Sequence, residues 1–116
     1  MTELFFRIAK SDPPMIDDFL SNAARGRRIP ADLPADLKRL WDGLSVYSSV
    51  EAAVRTAARA SYLGRFVATL DLALAPSARW EQTTPNVWHY TVWGEPEELL
   101  KCVVNVNPIL VARQRP

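Results

Sequence analysis

The sequence has little cysteine, little histidine and little net charge, and each shortage excludes a class of protein. Cys102 is the only cysteine and His89 the only histidine among 116 residues. An intrachain disulfide is therefore excluded, and so is a structural zinc site built from clustered Cys and His ligands. The formal net charge is only +1, so no overall field attracts nucleic acid or an anionic membrane.

Motifs that are diagnostic of a particular cofactor or reaction are also missing. The sequence contains no G-x-G-x-x-G and no Walker loop, so Rossmann and P-loop nucleotide binding are unsupported. It has no G-x-S-x-G elbow for a serine nucleophile. No apolar run approaches the ~20 residues that span a bilayer, and the N-terminus lacks the pattern of a signal peptide. We therefore expect a cytoplasmic protein with no metal ion and no membrane partner.

The apolar content is high enough for one globular domain. Hydrophobic residues make up 48% of the chain, which predicts a single α+β domain over residues 1–116. Hydrophobic periodicity and Gly/Pro punctuation predict helices at 14–25, 34–42 and 50–60, and strands at 4–9, 44–47, 65–72, 79–83, 87–93 and 99–106. This order predicts a mostly antiparallel sheet, with two to three helices from the N-terminal half. Trp41 follows Leu37 and Leu40 on its helix and is expected in the core.

One corner between a strand and a helix is the best candidate for a site. Leu44-Ser45-Val46-Tyr47 reads as a strand, and Ser48-Ser49 leads from it into a helix. Ser48 stands three residues before Glu51, which is the spacing of a capping box. The free N–H groups of a helix start bind anions and phosphates readily, so an anion or a phosphate is the kind of ligand that this corner favours.

Acidic and basic side chains give further candidates. Glu95, Glu97 and Glu98 precede the last predicted strand, either as a helical first turn or as catalytic carboxylates. His89, the only histidine, lies within a predicted strand, where it either makes a structural hydrogen bond or serves as a general acid–base group. In the second case Glu81 and an arginine would complete a small ribonuclease. The arginines at 25, 27 and 28 are expected to form a solvated loop.

The order of these elements resembles the ADP-ribosyltransferase-like superfamily. Arg7 on the first strand matches that superfamily's basic residue, and Tyr47-Ser48-Ser49 matches its turn from strand to helix. One of Glu95, Glu97 and Glu98 matches its late glutamate. The chain also resembles a small bacterial protein family that carries Leu-Ser-Val-Tyr and His-Tyr-Thr-Val-Trp-Gly, a likeness that implies no function.

The first resemblance implies a function. NAD would be the cofactor, with Arg7 binding ribose or phosphate, Tyr47 stacking on nicotinamide, and Ser48 or Ser49 hydrogen-bonding it. A glutamate would stabilise the oxocarbenium-like state as the nicotinamide–ribose bond breaks. The protein would then be a toxin-like effector that modifies a protein or nucleic acid, with a cognate antitoxin. The rival hypotheses are a non-catalytic binding or immunity-type module that uses its aromatic-rich sheet, and the ribonuclease.

Overall fold

The computed structural model describes residues 2–109, which fold as an α+β unit around one six-stranded sheet. The strands are β1 (Leu4–Ala9), β2 (Leu44–Tyr47), β3 (Phe66–Asp71), β4 (Arg79–Glu81), β5 (His89–Trp93) and β6 (Val103–Pro108). Their order across the sheet is β4-β5-β2-β1-β3-β6, and every neighbouring pair is antiparallel. The predicted fold class is therefore confirmed.

Three α-helices and several 3-10 turns connect the strands. The helices are α1 (Ala35–Lys38), α2 (Val50–Arg59) and α3 (Pro96–Lys101). Helix α1 continues as a 3-10 turn over Arg39–Asp42, so the predicted span of residues 34–42 is confirmed as helical. Helix α3 lies in the C-terminal half, whereas the predicted helices all lie in the N-terminal half.

Strand β1 lies at the centre of the sheet and carries apolar side chains on both of its faces. Strands β2 and β3 pair with its two edges, and a hydrophobic cluster packs on each of its faces. On one face, called the α3 face, Phe5 packs with Phe19, Leu99 and other core residues. On the opposite face, called the α2 face, Ile8 packs against the alanines of α2.

Helix α2 crosses the sheet as predicted, but its cap differs from the prediction. Ser49, not Ser48, is the N-cap, and its Oγ accepts a hydrogen bond from the Ala52 N–H at 3.3 Å. The same hydroxyl donates to Oε1 of Glu51 at 3.0 Å. The capping box proposed for Ser48 and Glu51 is therefore wrong, because the helix begins one residue later than that pairing requires.

The helix predicted over residues 14–25 is wrong. Only Ile16–Phe19 forms a 3-10 turn. The Asp18 carboxylate explains the difference, because it accepts hydrogen bonds from the Ser11 hydroxyl and from the N–H groups of Lys10 and Met15. Such bonds from a side chain to nearby backbone compete with helix formation. Phe19 is then buried, and the chain leaves the turn in an extended conformation at Leu20.

The last predicted strand is wrong over its first half. Residues 99–101 complete α3, and β6 starts only at Val103. Pro96 at the start of α3 and the two glutamates after it favour a helix, a signal that the apolar run concealed. The strand also extends beyond its predicted end at residue 106, to Pro108 opposite Phe66, which the edge position of β6 permits.

Two further differences concern aromatic side chains. Strand β5 begins at His89, so Val87 and Trp88 belong to the preceding turn, and Trp88 is exposed. Trp41 is half-buried and outside both core clusters, contrary to its predicted place in the core. No helix within residues 2–109 has the length and apolar character needed to cross a bilayer.

Candidate functional site

The sheet opens between its two central strands, and Arg7 fills the opening. Strands β1 and β2 share the single register pair Phe6↔Tyr47, whereas β1 runs beside β3 along its whole length. The Arg7 guanidinium donates from Nη1 to the Ser45 carbonyl at 2.9 Å and from Nε to the Asp18 carbonyl at 3.1 Å. Burial lowers the pKa of Arg7 to about 10, so the side chain remains charged at neutral pH.

Four basic side chains line a cavity beside this opening. We call this cavity of about 250 Å³ the basic groove, because Arg7, Lys10, Arg25 and Arg27 contribute to its wall. No aspartate or glutamate within residues 2–109 lines it. The remaining wall is formed by Leu20, Ser21, Asn22, Gly43, Leu44, Ser45, Tyr62 and Leu63. A concave surface with one sign of charge concentrates anions.

The loop that carries two of these arginines is held in place by specific contacts. The indole Nε1 of Trp41 donates to the Arg27 carbonyl at 3.1 Å, and the Ala23 N–H donates to the Trp41 carbonyl at 3.0 Å. Arg25 forms an ion pair with Asp17 at 3.3 Å. Gly26 takes a positive φ of 74° between the two arginines. The loop is exposed, as predicted for its arginines, and Arg25 and Arg27 also contribute to one wall of the basic groove.

One residue of the groove wall, Ser45, contacts the only histidine of the chain. His89 Nε2 lies 3.0 Å from the Ser45 hydroxyl, and His89 Nδ1 lies 3.4 Å from the Thr84 hydroxyl. Ser45 pairs with Thr91 and Tyr47 pairs with His89, so Ser45 and His89 are diagonal neighbours on adjacent strands. Burial lowers the pKa of His89 below its ordinary value, so the imidazole is neutral at pH 7.

The residues predicted to bind a cofactor are only partly brought together. Arg7, Ser45 and Tyr47 line a second cavity of about 160 Å³, next to the basic groove. Tyr47 is buried, with its ring edge-on to His89. Ser48 is exposed beyond the end of β2, and Ser49 caps α2. Neither Ser48 nor Ser49 lines the basic groove or the second cavity.

The three predicted catalytic glutamates lie on or beside α3. Glu98 accepts hydrogen bonds from the Ser77 N–H at 3.0 Å and the Ser77 hydroxyl at 2.9 Å. Glu97 is exposed in the first turn of the helix. Glu95 lines a third cavity of about 370 Å³, which shares Ser21 and Leu44 with the basic groove. Of the three, Glu95 is therefore the one whose cavity adjoins the groove.

The partner proposed for His89 in a ribonuclease lies elsewhere. Glu81 forms a bidentate pair with Arg39 at 2.7 and 3.3 Å, and this hydrogen bonding lowers the pKa of Glu81. His89 instead hydrogen-bonds the hydroxyls of Ser45 and Thr84.

Sequence reasoning missed Lys10, Ser45 and Tyr62 as residues of this region. Ser45 could have been identified from the sequence, because its hydroxyl interrupts the otherwise apolar and aromatic strand Leu44-Ser45-Val46-Tyr47. Lys10 and Tyr62 could not have been found in this way, because Lys10 follows the end of β1 and Tyr62 lies in a 3-10 turn over Ser61–Leu63, and only the fold places both beside the groove. Within residues 2–109 no three His, Cys, Asp or Glu side chains are placed to hold a metal ion. No protein-family model, curated protein or solved structure matches this chain.

Proposed function

We propose that the basic groove binds the phosphates of a nucleotide, and that NAD is the first nucleotide to test. The observation that carries the proposal is the set of four basic side chains around a cavity with no carboxylate in its described wall. NAD is chosen because the first-strand arginine, Arg7, lies in that wall, as the resemblance to ADP-ribosyltransferase-like proteins implies. A cytoplasmic location belongs to the same proposal, since nucleotides are plentiful there.

The shape of the groove suits a phosphate group more than a whole dinucleotide. Its volume of about 250 Å³ is below the ~300–1,000 Å³ usual for sites that enclose a complete ligand. The adjoining cavities extend the space on the sides of Tyr47 and Glu95. Tyr62 is 78% exposed at the groove wall, where a flat ring offers a stacking surface for a base.

Calorimetric titration with NAD, ADP and inorganic pyrophosphate tests this proposal. Arg25→Gln and Arg27→Gln should each weaken binding about tenfold, because each removes a charge-assisted contact worth about 1.4 kcal/mol. Arg59→Gln is the matched control, since it removes the same charge from an exposed position on α2 outside the groove. Equal affinities for all four proteins, or no binding of any probe at millimolar concentration, would contradict the proposal.

A second candidate function is NAD-dependent ADP-ribosyl transfer to a protein or nucleic acid. It is favoured by the cavity of Glu95, which shares two wall residues with the basic groove. In this hypothesis the Glu95 carboxylate stabilises the developing positive charge on ribose. A toxin-like effector of this kind would be neutralised by a cognate antitoxin.

Release of nicotinamide from NAD tests the transferase hypothesis. Glu95→Gln should lower the rate while leaving NAD affinity in place, because it removes the charge and keeps the shape. Glu98→Gln and Glu97→Gln measure the contributions of the other two candidates under the same conditions. Binding of NAD without any nicotinamide release would favour the non-catalytic binding module.

A further inference from the structure

We propose that Ser45 and His89 form a nucleophile–base dyad that acts on a phosphoryl group. The choice of a phosphoryl substrate rests on the proposed nucleotide binding by the basic groove, whereas the dyad itself rests on separate geometry. That geometry is the 3.0 Å contact between the Ser45 hydroxyl and His89 Nε2. A serine within hydrogen-bond reach of a base is the arrangement that activates a hydroxyl nucleophile.

The two side chains are placed by the sheet and not by a flexible loop. Their strands, β2 and β5, pair over four consecutive positions from Leu44↔Val92 to Tyr47↔His89. Ser45 is exposed and lines both the basic groove and the second cavity, and His89 is half-buried and lies outside both walls. Ser45 is thus an exposed residue in the walls where a ligand would bind, and the imidazole lies 3.0 Å from its hydroxyl.

The dyad needs one tautomer of His89, and the contacts of the ring allow it. Thr84 Oγ1 accepts the Asn86 N–H at 3.3 Å and lies 3.4 Å from His89 Nδ1. We place the neutral ring's proton on Nδ1, directed at this hydroxyl oxygen. Nε2 then has a free lone pair and accepts the Ser45 proton. This is the tautomer that a general base requires.

Arg7 supplies a cation beside the nucleophile. Its Nη1 binds the main-chain carbonyl of Ser45, and its Nε binds the carbonyl of Asp18. Within residues 2–109 its Nη2 makes no hydrogen bond, so that donor is free for an anionic ligand. A fixed guanidinium at this position stabilises negative charge that develops on phosphoryl oxygens.

The reaction follows from these roles. Ser45 Oγ attacks phosphorus as its proton moves to His89 Nε2. The bond from phosphorus to the leaving oxygen breaks, and His89 returns the proton to that oxygen. Water then attacks phosphorus as one of its protons moves to His89 Nε2. The bond from phosphorus to Ser45 Oγ breaks, His89 returns the proton to Oγ, and a phosphate product is released. No oxidant or reductant is needed.

An alkyl fluorophosphonate tests the dyad without knowledge of the substrate. Ser45 Oγ would bond to phosphorus, fluoride would leave, and the serine proton would pass to His89. We expect one adduct per chain, located on Ser45 by peptide mass spectrometry. Ser45→Ala should abolish it. His89→Gln should slow labelling at least ~100-fold, the usual contribution of a general base.

Controls separate a catalytic dyad from a structural hydrogen bond. Ser61→Ala removes an exposed hydroxyl outside the groove wall and should label at the wild-type rate. Circular dichroism shows that each variant is folded. Absence of a Ser45 adduct on folded wild-type protein, or equal rates for wild type and His89→Gln, would overturn the dyad. Labelling of a protein that binds none of the nucleotide probes would instead overturn only the proposed function.

Discussion

The indole Nε1 of Trp41 donates a hydrogen bond to the main-chain carbonyl of Arg27, 3.1 Å away. A tryptophan that the sequence placed in the core therefore holds the loop whose arginines form a wall of the basic groove. Because Trp41 is only half-buried, its contribution to stability should be smaller than that of a core aromatic, and its contribution to the shape of the groove should be larger.

Trp41→Ala should lower the free energy of unfolding by about 2 kcal/mol, below the ~3–5 kcal/mol typical of a fully buried aromatic. Trp41→Phe keeps most of the packing and loses the hydrogen bond, so it should cost about 1 kcal/mol. Urea denaturation measures both values. An Ala variant as stable as wild type, or one that loses the full core value, would contradict the half-buried position.

Asp18→Asn should destabilise the protein by about 2 kcal/mol, because three donors converge on a buried carboxylate. Burial opposes ionisation of Asp18, but the hydrogen bonds from Ser11, Met15 and Lys10, with the charge of Arg7, outweigh it and lower the pKa. A lowered pKa in the folded state stabilises the protein above the unfolded value of 3.8. The advantage of wild type over Asp18→Asn should therefore be constant near neutrality and shrink as the pH falls below that value. A difference that grows on acidification would contradict this assignment.

Gly64→Ala should be strongly destabilising, whereas Gly26→Ala should be tolerated better. A Cβ at Gly64 would lie 2.2 Å from the Ala9 carbonyl oxygen, and the residue has a φ of 147°. The clashing atoms belong to the main chain and cannot move without disturbing β1, so we expect the free energy of unfolding to fall by about 2 kcal/mol or more. At Gly26 the φ is 74° and no atom lies within 4 Å, so only the left-handed backbone is penalised, by about 1 kcal/mol. Thermal unfolding of the two variants provides the comparison, and the reverse order would contradict it.

The rate of Ser45 labelling by fluorophosphonate should rise with pH and then level off. Burial lowers the pKa of His89 below its ordinary value of 6.5. The pH at which the rate reaches half of its maximum should therefore lie below 6.5. The groups that contact the imidazole are Ser45, Tyr47 and Thr84, none of which is a carboxylate that would raise the pKa. A midpoint above pH 7 would show that another group controls the reaction.

His89→Ala should keep the native circular dichroism spectrum. If the wild-type protein cleaves RNA and this folded variant does not, the result would support the ribonuclease hypothesis.

Cys102 should be inert to thiol reagents in the folded protein. The side chain is fully buried, and burial, followed by the charges of Glu98 and Asp71, raises the pKa of its thiol. Because the thiolate is the reactive form, modification by a disulfide reagent should occur only at the rate of unfolding and become fast in denaturant. Rapid reaction under native conditions would contradict the buried position.

Local sequence signals determined the strands and helix that build the centre of the sheet. The limits of β1 and β2 agree with their alternation, and α2 agrees with its alanine-rich pattern, because each segment's propensity and burial favour the same structure. The apolar run from Leu99 was ambiguous, since a buried helix and a buried strand are equally apolar. Its division between α3 and β6 was decided by packing, which places Leu99 and Cys102 in the core.

The candidate site was decided almost wholly by tertiary structure. Arg7 and Tyr47 were identified from the sequence, and the fold brings them to one cavity. The contact between Ser45 and His89 joins residues 44 positions apart. Arg25 lines the same cavity as Arg7 and comes from a segment that was predicted to be helical and is not. Sequence alone specified these side chains and their charges. Which of them face one another depends on strand register and on the opening between β1 and β2, and both arise from contacts between segments distant in the chain.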